Sequence, residues 1–211
     1  MKPRLPVRIF VGPRLARRRR SFLYILLAGL GAALLIAGFW VPVKAELAQQ
    51  LLNRAWAAIK EDGRVARPWP WADTWPVARL TLPTSDRALT VLAGASGRNL
   101  AFGPALMDGT ALPGTVGLSV IAGHRDTHFR ELGLLAIGDR FEIELPHGAS
   151  YVYEVAEIDV IDAERTMLRL DADESVVALV TCYPFEAVVP GGSLRYVVMA
   201  HLVRSGHSRG G

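Results

Sequence analysis

Cysteine is almost absent from this chain: one thiol, Cys182, in 211 residues. A single cysteine excludes an internal disulfide and leaves no thiol set for a structural zinc site. It also suits an exported domain, where stray thiols risk unwanted pairing. Two readings of Cys182 remain, a small buried hydrophobe or a nucleophile. Acidic residues are missing before residue 44, and charge of either sign is missing from residues 21–43. No internal repeat is present, which excludes solenoid and propeller architectures.

What fills the acid-free N-terminus is basic. Eight of the 24 Lys and Arg residues precede residue 21, including the run Arg17 to Arg20. The sequence pI of about 9.6 therefore belongs to this tail. The remaining basic residues are outnumbered by the 20 acidic ones, so nothing calls for nucleic acid as a partner. The uncharged stretch SFLYILLAGLGAALLIAGFWVPV that follows matches the roughly 20 residues a helix needs to cross a bilayer. Basic residues on its N-terminal side predict a single-pass anchor in the cytoplasmic membrane, N-terminus cytoplasmic and remainder extracytoplasmic. A cleaved signal peptide is the competing reading; it is disfavoured by the length of the apolar stretch and the lack of a clean cleavage site.

Beyond the anchor, residues 44–60 read as a helix with Ala48, Leu51, Leu52, Ala55 and Ile59 on one face. Its choices are to continue the anchor, pack on the domain or pair with another chain, and packing is the expectation. Asp62-Gly63 ends it, and a Pro/Trp segment carrying Trp69, Trp71 and Trp75 follows. These aromatics suit packing on the domain first and a membrane-interface belt second.

From residue 77 the chain turns to short β-branched and aromatic runs at 77–82, 89–92, 117–122, 140–145, 151–156, 176–180 and 195–203, separated by Gly and Pro. Seven or eight strands with one or two short helices predict a mainly β fold, a closed or nearly closed barrel of about eight strands. The chain divides into a basic tail (1–20), an anchor (21–43), a juxtamembrane helix and Pro/Trp linker (44–75), a barrel (76–204) and a glycine-rich, disordered tail (205–211).

Three side chains carry chemistry together. Cys182 ends an apolar strand, Arg195 opens the next, and His124 follows the strand ending at Ala122. A thiolate that attacks, an imidazole that moves protons and a fixed cation for the developing oxyanion make a set for acyl transfer. His128 and His201 are rival bases. His201 shares strand parity with Arg195, so it could stand behind the site. Asp126 could steady His124; as a metal ligand it is one carboxylate beside two imidazoles, which is little. Thr181 either orients a substrate backbone or fills a strand position. Met167 and Leu168 either line a groove for an apolar peptide residue or pack in the core.

With an anchor in front, the ordered set Gly123-His124, Thr181-Cys182 and Arg195 resembles the sortases, which are cysteine transpeptidases. Pro68-Trp-Pro-Trp-Ala-Asp-Thr-Trp-Pro76, Ala122-Gly-His-Arg-Asp-Thr-His-Phe129 and Val180-Thr-Cys-Tyr-Pro-Phe185 resemble the Gram-negative subgroup, class GN. The resemblance covers residues 44–203. It implies Cys182 as nucleophile, His124 as general acid/base and Arg195 as the oxyanion or substrate-orienting cation. It also implies a protein substrate with a C-terminal sorting signal like Leu-Pro-x-Thr-Gly, an amine acceptor, and neither cofactor nor metal. The rivals are a purely hydrolytic cysteine peptidase and an anchored β-barrel binding module with a structural cysteine.

Overall fold

The computed structural model describes residues 14–85, 87–167, 169–187 and 191–207. They fall into two compact units, 1–46 and 47–211. Helix α1, Arg14–Asp62, crosses that boundary. The basic residues before 14 and most side chains of the 21–43 stretch lie outside the described residues. Among the described residues, no helix is long and apolar enough to cross a membrane.

In the second unit, α1 from Leu47 onward packs on the domain. Leu52, Ala55, Trp56 and Ile59 are buried, with Leu52 set against Leu92 and Ala105. Leu51 is only half-buried and Trp56 takes a place on the face instead, with the Arg79 guanidinium over its ring. Burial of Leu52, Trp56 and Ile59 contributes about 1.5–3 kcal/mol each. The half-exposed Lys60–Glu144 ion pair adds about 0.2–1 kcal/mol, so apolar contact decides the docking. The linker tryptophans divide: Trp69 packs edge-on against Phe102, while Trp71 is exposed.

Eight strands close a barrel: β1 (Pro76–Thr81), β2 (Leu89–Ala93), β3 (Ala105–Leu106), β4 (Gly117–Ala122), β5 (Arg140–Glu144), β6 (Ala149–Asp162), β7 (Ser175–Cys182) and β8 (Leu194–His207). Their spatial order is β1-β2-β3-β4-β7-β8-β6-β5, with β1 pairing back onto β5. Alternation sorts the side chains. Ile121, Val177, Leu179, Val198 and Ala200 join the inner core, while Leu118, Val120, Val176, Ala178 and Val197 form a second apolar cluster on the other face of β4, β7 and β8.

Three differences from the expected elements have local causes. β3, two residues long, is too short to show a period, yet it joins β2 to β4. β6 runs six residues past Ala156, through the acid-rich Glu157-Ile-Asp-Val-Ile-Asp162, because β8 pairs with it along its whole length. β8 continues to His207, past the expected barrel boundary at 204, by pairing with Ala149 to Val152. Of the tail expected to be disordered, residues 208–211 lie outside the described residues.

Candidate active site

Strand register assembles the three chemistry-bearing residues at one end of the barrel. Cys182 and Arg195 are direct cross-strand partners on β7 and β8. Directly opposed side chains share a face, with Cβ atoms about 5 Å apart. β4 and β7 run parallel, and their last pair is Ala122–Val180. His124 and Cys182 each lie two residues beyond that pair. The Gly123 N–H donates to the Val180 carbonyl at 3.0 Å, which carries the ladder up to the histidine. By alternation Cys182 and Arg195 stand on the face of the second apolar cluster, beyond Val180 and Val197.

Cys182 is half-buried and His124 exposed, so solvent and ligand reach both. Thr181 is 2 % exposed and points inward; its hydroxyl donates to the Gly123 carbonyl at 2.7 Å. It therefore holds the backbone before His124 rather than touching a peptide on the outer face. Gly123 has no room for a side chain, since a Cβ there would come within 2.6 Å of the Phe129 ring. Phe129 in turn donates its N–H to the His124 carbonyl at 3.0 Å. Arg195 Nη1 donates to the carbonyls of Gly192 and Leu194, both at 2.8 Å. Its other nitrogens have no partner among the described residues. Gly192 sits at φ +88°, a conformation open to glycine, and so turns its carbonyl onto that guanidinium.

The rival residues separate clearly. His201 pairs with Val176, six residues from Arg195 along β8. That is about 20 Å at strand rise, and its Nδ1 is bound to Glu174 at 2.7 Å, so it does not stand behind the site. His128 is half-buried; burial, and then the charge of nearby His124, hold its pKa below the usual imidazole value. The His128 imidazole is thus mostly neutral at neutral pH. Asp126 pairs with Arg125 rather than steadying His124 alone. A hydrogen bond from Arg125 is the main cause of its lowered pKa, with the charges of Arg125, His124 and Arg130 adding. Met167 is 94 % exposed, which rules out core packing, and Leu168 lies outside the described residues.

Two contributors had no signal in sequence. Asp162 sits beside Arg195. Its carboxyl is held low by the Ser193 hydroxyl first, then by the Glu164 N–H and the Arg195 charge. Arg125 bridges the loops that follow His124 and Cys182. Between those loops opens a cavity of about 600 Å³ with Asp126 and Arg130 on one wall and Phe185 and Glu186 on the other. Among the described residues no group of three or more His, Cys, Asp or Glu is placed to hold a metal.

A thiol, an imidazole and a guanidinium stand together at one end of the barrel. The sortase domain matches residues 80–203. The chain belongs to the sortase family. Sortase D of Bacillus subtilis (strain 168) is 30 % identical to this sortase over 120 residues, 56 % of this chain and 60 % of the relative. Sortase A from Corynebacterium diphtheriae superposes with a TM-score of 0.56 at 32 % identity, over 64 % of this chain and 63 % of that one. The catalytic domain of B. anthracis SrtD gives a TM-score of 0.53 at 31 % identity, over 64 % of this chain and 90 % of that domain. The chain thus spans about three fifths of the first two relatives.

Proposed function

We propose that this sortase is a membrane-anchored cysteine transpeptidase. It cleaves a C-terminal sorting signal resembling Leu-Pro-x-Thr-Gly and passes the acyl group to an amine. The observation that carries this reading is the Cys182–Arg195 cross-strand pair, with His124 at the matching position beyond β4.

The steps follow from the side chains. The Cys182 thiolate attacks the threonine carbonyl of the Thr–Gly bond, and Arg195 donates to the oxyanion that forms. Protonated His124 gives its proton to the departing glycine amine as the thioester is made. The acceptor amine then attacks the thioester, His124 takes its proton, and the sulfur leaves as the thiolate, which restores the starting thiolate and imidazolium. The half-buried rim of the second apolar cluster, Ile161, Val180 and Met199, suits the hydrophobic part of the signal.

Incubation with a Leu-Pro-x-Thr-Gly peptide tests this by product mass. With an added amine the product is expected to be the amide. Free acid alone, at all amine concentrations, would make the enzyme a hydrolase.

The anchor rests on the basic run at 17–20 and the uncharged 21–43 stretch, and puts the barrel outside the cytoplasm. A reporter active only outside the cytoplasm, fused beyond the barrel, is expected to be active. An inactive but expressed fusion would reverse the topology. The Pro/Trp, Gly-His-Arg-Asp and Thr-Cys-Tyr-Pro motifs support the Gram-negative subgroup. The corresponding check is a neighbouring reading frame ending in a sorting signal, an apolar helix and a basic tail.

A further inference from the structure

Arg125 is the one charged side chain that is buried among the described residues, at 6 % exposure. Burying a guanidinium costs several kcal/mol unless its donors are used. Here all three nitrogens are engaged. Nε donates to Asp126 Oδ1 at 2.9 Å, Nη1 to the Pro184 carbonyl, and Nη2 to the Ala187 carbonyl at 2.8 Å. The two carbonyls belong to the turn two to five residues after Cys182, which the Ala187 N–H closes onto Pro184. The guanidinium itself follows His124 directly. An apolar residue would fill this space without the desolvation cost, and a lysine would offer no planar fork.

We propose that Arg125 is a positioning residue for the transfer reaction. By gripping the Pro184 and Ala187 carbonyls it sets the separation between the His124 imidazole and the Cys182 thiol, and Asp126 holds the fork in place. It works beside a second tie, the Thr181 hydroxyl on the Gly123 carbonyl, which joins the same two segments at the barrel end. Arg125 hydrogen-bonds neither the His124 imidazole nor the Cys182 thiol. The inference rests on Cys182 and His124 being nucleophile and acid/base. Catalytic groups displaced by about 1 Å lose on the order of a hundredfold in rate, so a strap of this kind is felt in kcat rather than in peptide binding.

The test compares Arg125→Lys and Arg125→Ala in the full chain. The readouts are donor-peptide kcat and KM, melting temperature, and the pH dependence of Cys182 alkylation by iodoacetamide. The last reports how far the thiol senses its imidazole without any substrate. Asp126, His128 and Arg130, which also lie near His124, stay unchanged in both variants. Arg125→Lys is expected to lower kcat about tenfold or more, with KM within about twofold. Its alkylation profile should move toward that of His124→Ala. Millimolar guanidinium is expected to restore part of the kcat of Arg125→Ala. If Arg125→Ala does not fold, Arg125→Lys decides alone. Wild-type kcat per folded molecule and a wild-type alkylation profile in Arg125→Lys would reduce Arg125 to a stability element and overturn the proposal. Turnover by a parallel Cys182→Ala variant would instead overturn the assignment of the site, whatever Arg125 does.

Discussion

Cys182→Ala is expected to abolish acyl-enzyme formation while the barrel stays folded. The thioester needs the sulfur, and removing a nucleophile costs on the order of 10⁴–10⁶ in kcat. The fold loses little. Cys182 is half-buried at the strand end, and one missing sulfur costs at most about 1 kcal/mol. Trapping on a donor peptide followed by intact mass reads the first expectation, and a thermal melt reads the second. An acyl adduct or turnover in the variant would remove Cys182 from the chemistry. His124→Ala should be comparably severe, whereas His201→Ala, bound to Glu174 at the other end of the ladder, should keep its rate.

Arg195 separates aimed hydrogen bonding from simple charge. Its register opposite Cys182 puts the side chain on the thiol's face of the sheet, and the Gly192 and Leu194 carbonyls hold one nitrogen and leave the others available. Lysine keeps the charge but has neither the fork nor a second nitrogen to pin. Arg195→Lys is therefore expected to lose roughly a hundredfold in kcat, the cost of one aimed oxyanion donor. Arg195→Ala should lose more, because the cation beside the thiolate goes as well and the Asp162 carboxylate loses one of the positive charges that hold its pKa down. Single-turnover acylation at saturating peptide measures both, with melting temperatures as control. Near-normal acylation by Arg195→Lys would mean that Arg195 acts as a positive field and that backbone N–H groups hold the oxyanion.

How far the sequence could be read depended on how local each signal was. β4 was legible to the residue, because a short apolar run, Gly-Leu-Ser-Val-Ile-Ala, lies between glycine-marked turns. β3 was not, since two residues carry no period, and the second half of β6 was hidden by its acidic residues. The helix face at 48–59 was legible except that Leu51 is only half-buried and Trp56, with Arg79 of β1 over its ring, takes a place on the face. Thr181 stands next to the cysteine in sequence, but which way it faces depends on strand parity, and parity turns it inward.

The sequence alone determined the barrel class and the order His124, Cys182, Arg195, each at a strand terminus. Hydrophobic alternation and glycine punctuation are properties of neighbouring residues and survive without the fold. Only the tertiary structure decided which residues meet. Register made Cys182 and Arg195 partners and sent His201, of the same parity, about 20 Å down the strand. The burial of Arg125 was equally invisible. An arginine after a histidine reads as a solvated turn until carbonyls 59 and 62 residues away close around it. Such contacts are made across the sheet and between loops, where separation along the chain says nothing about separation in space.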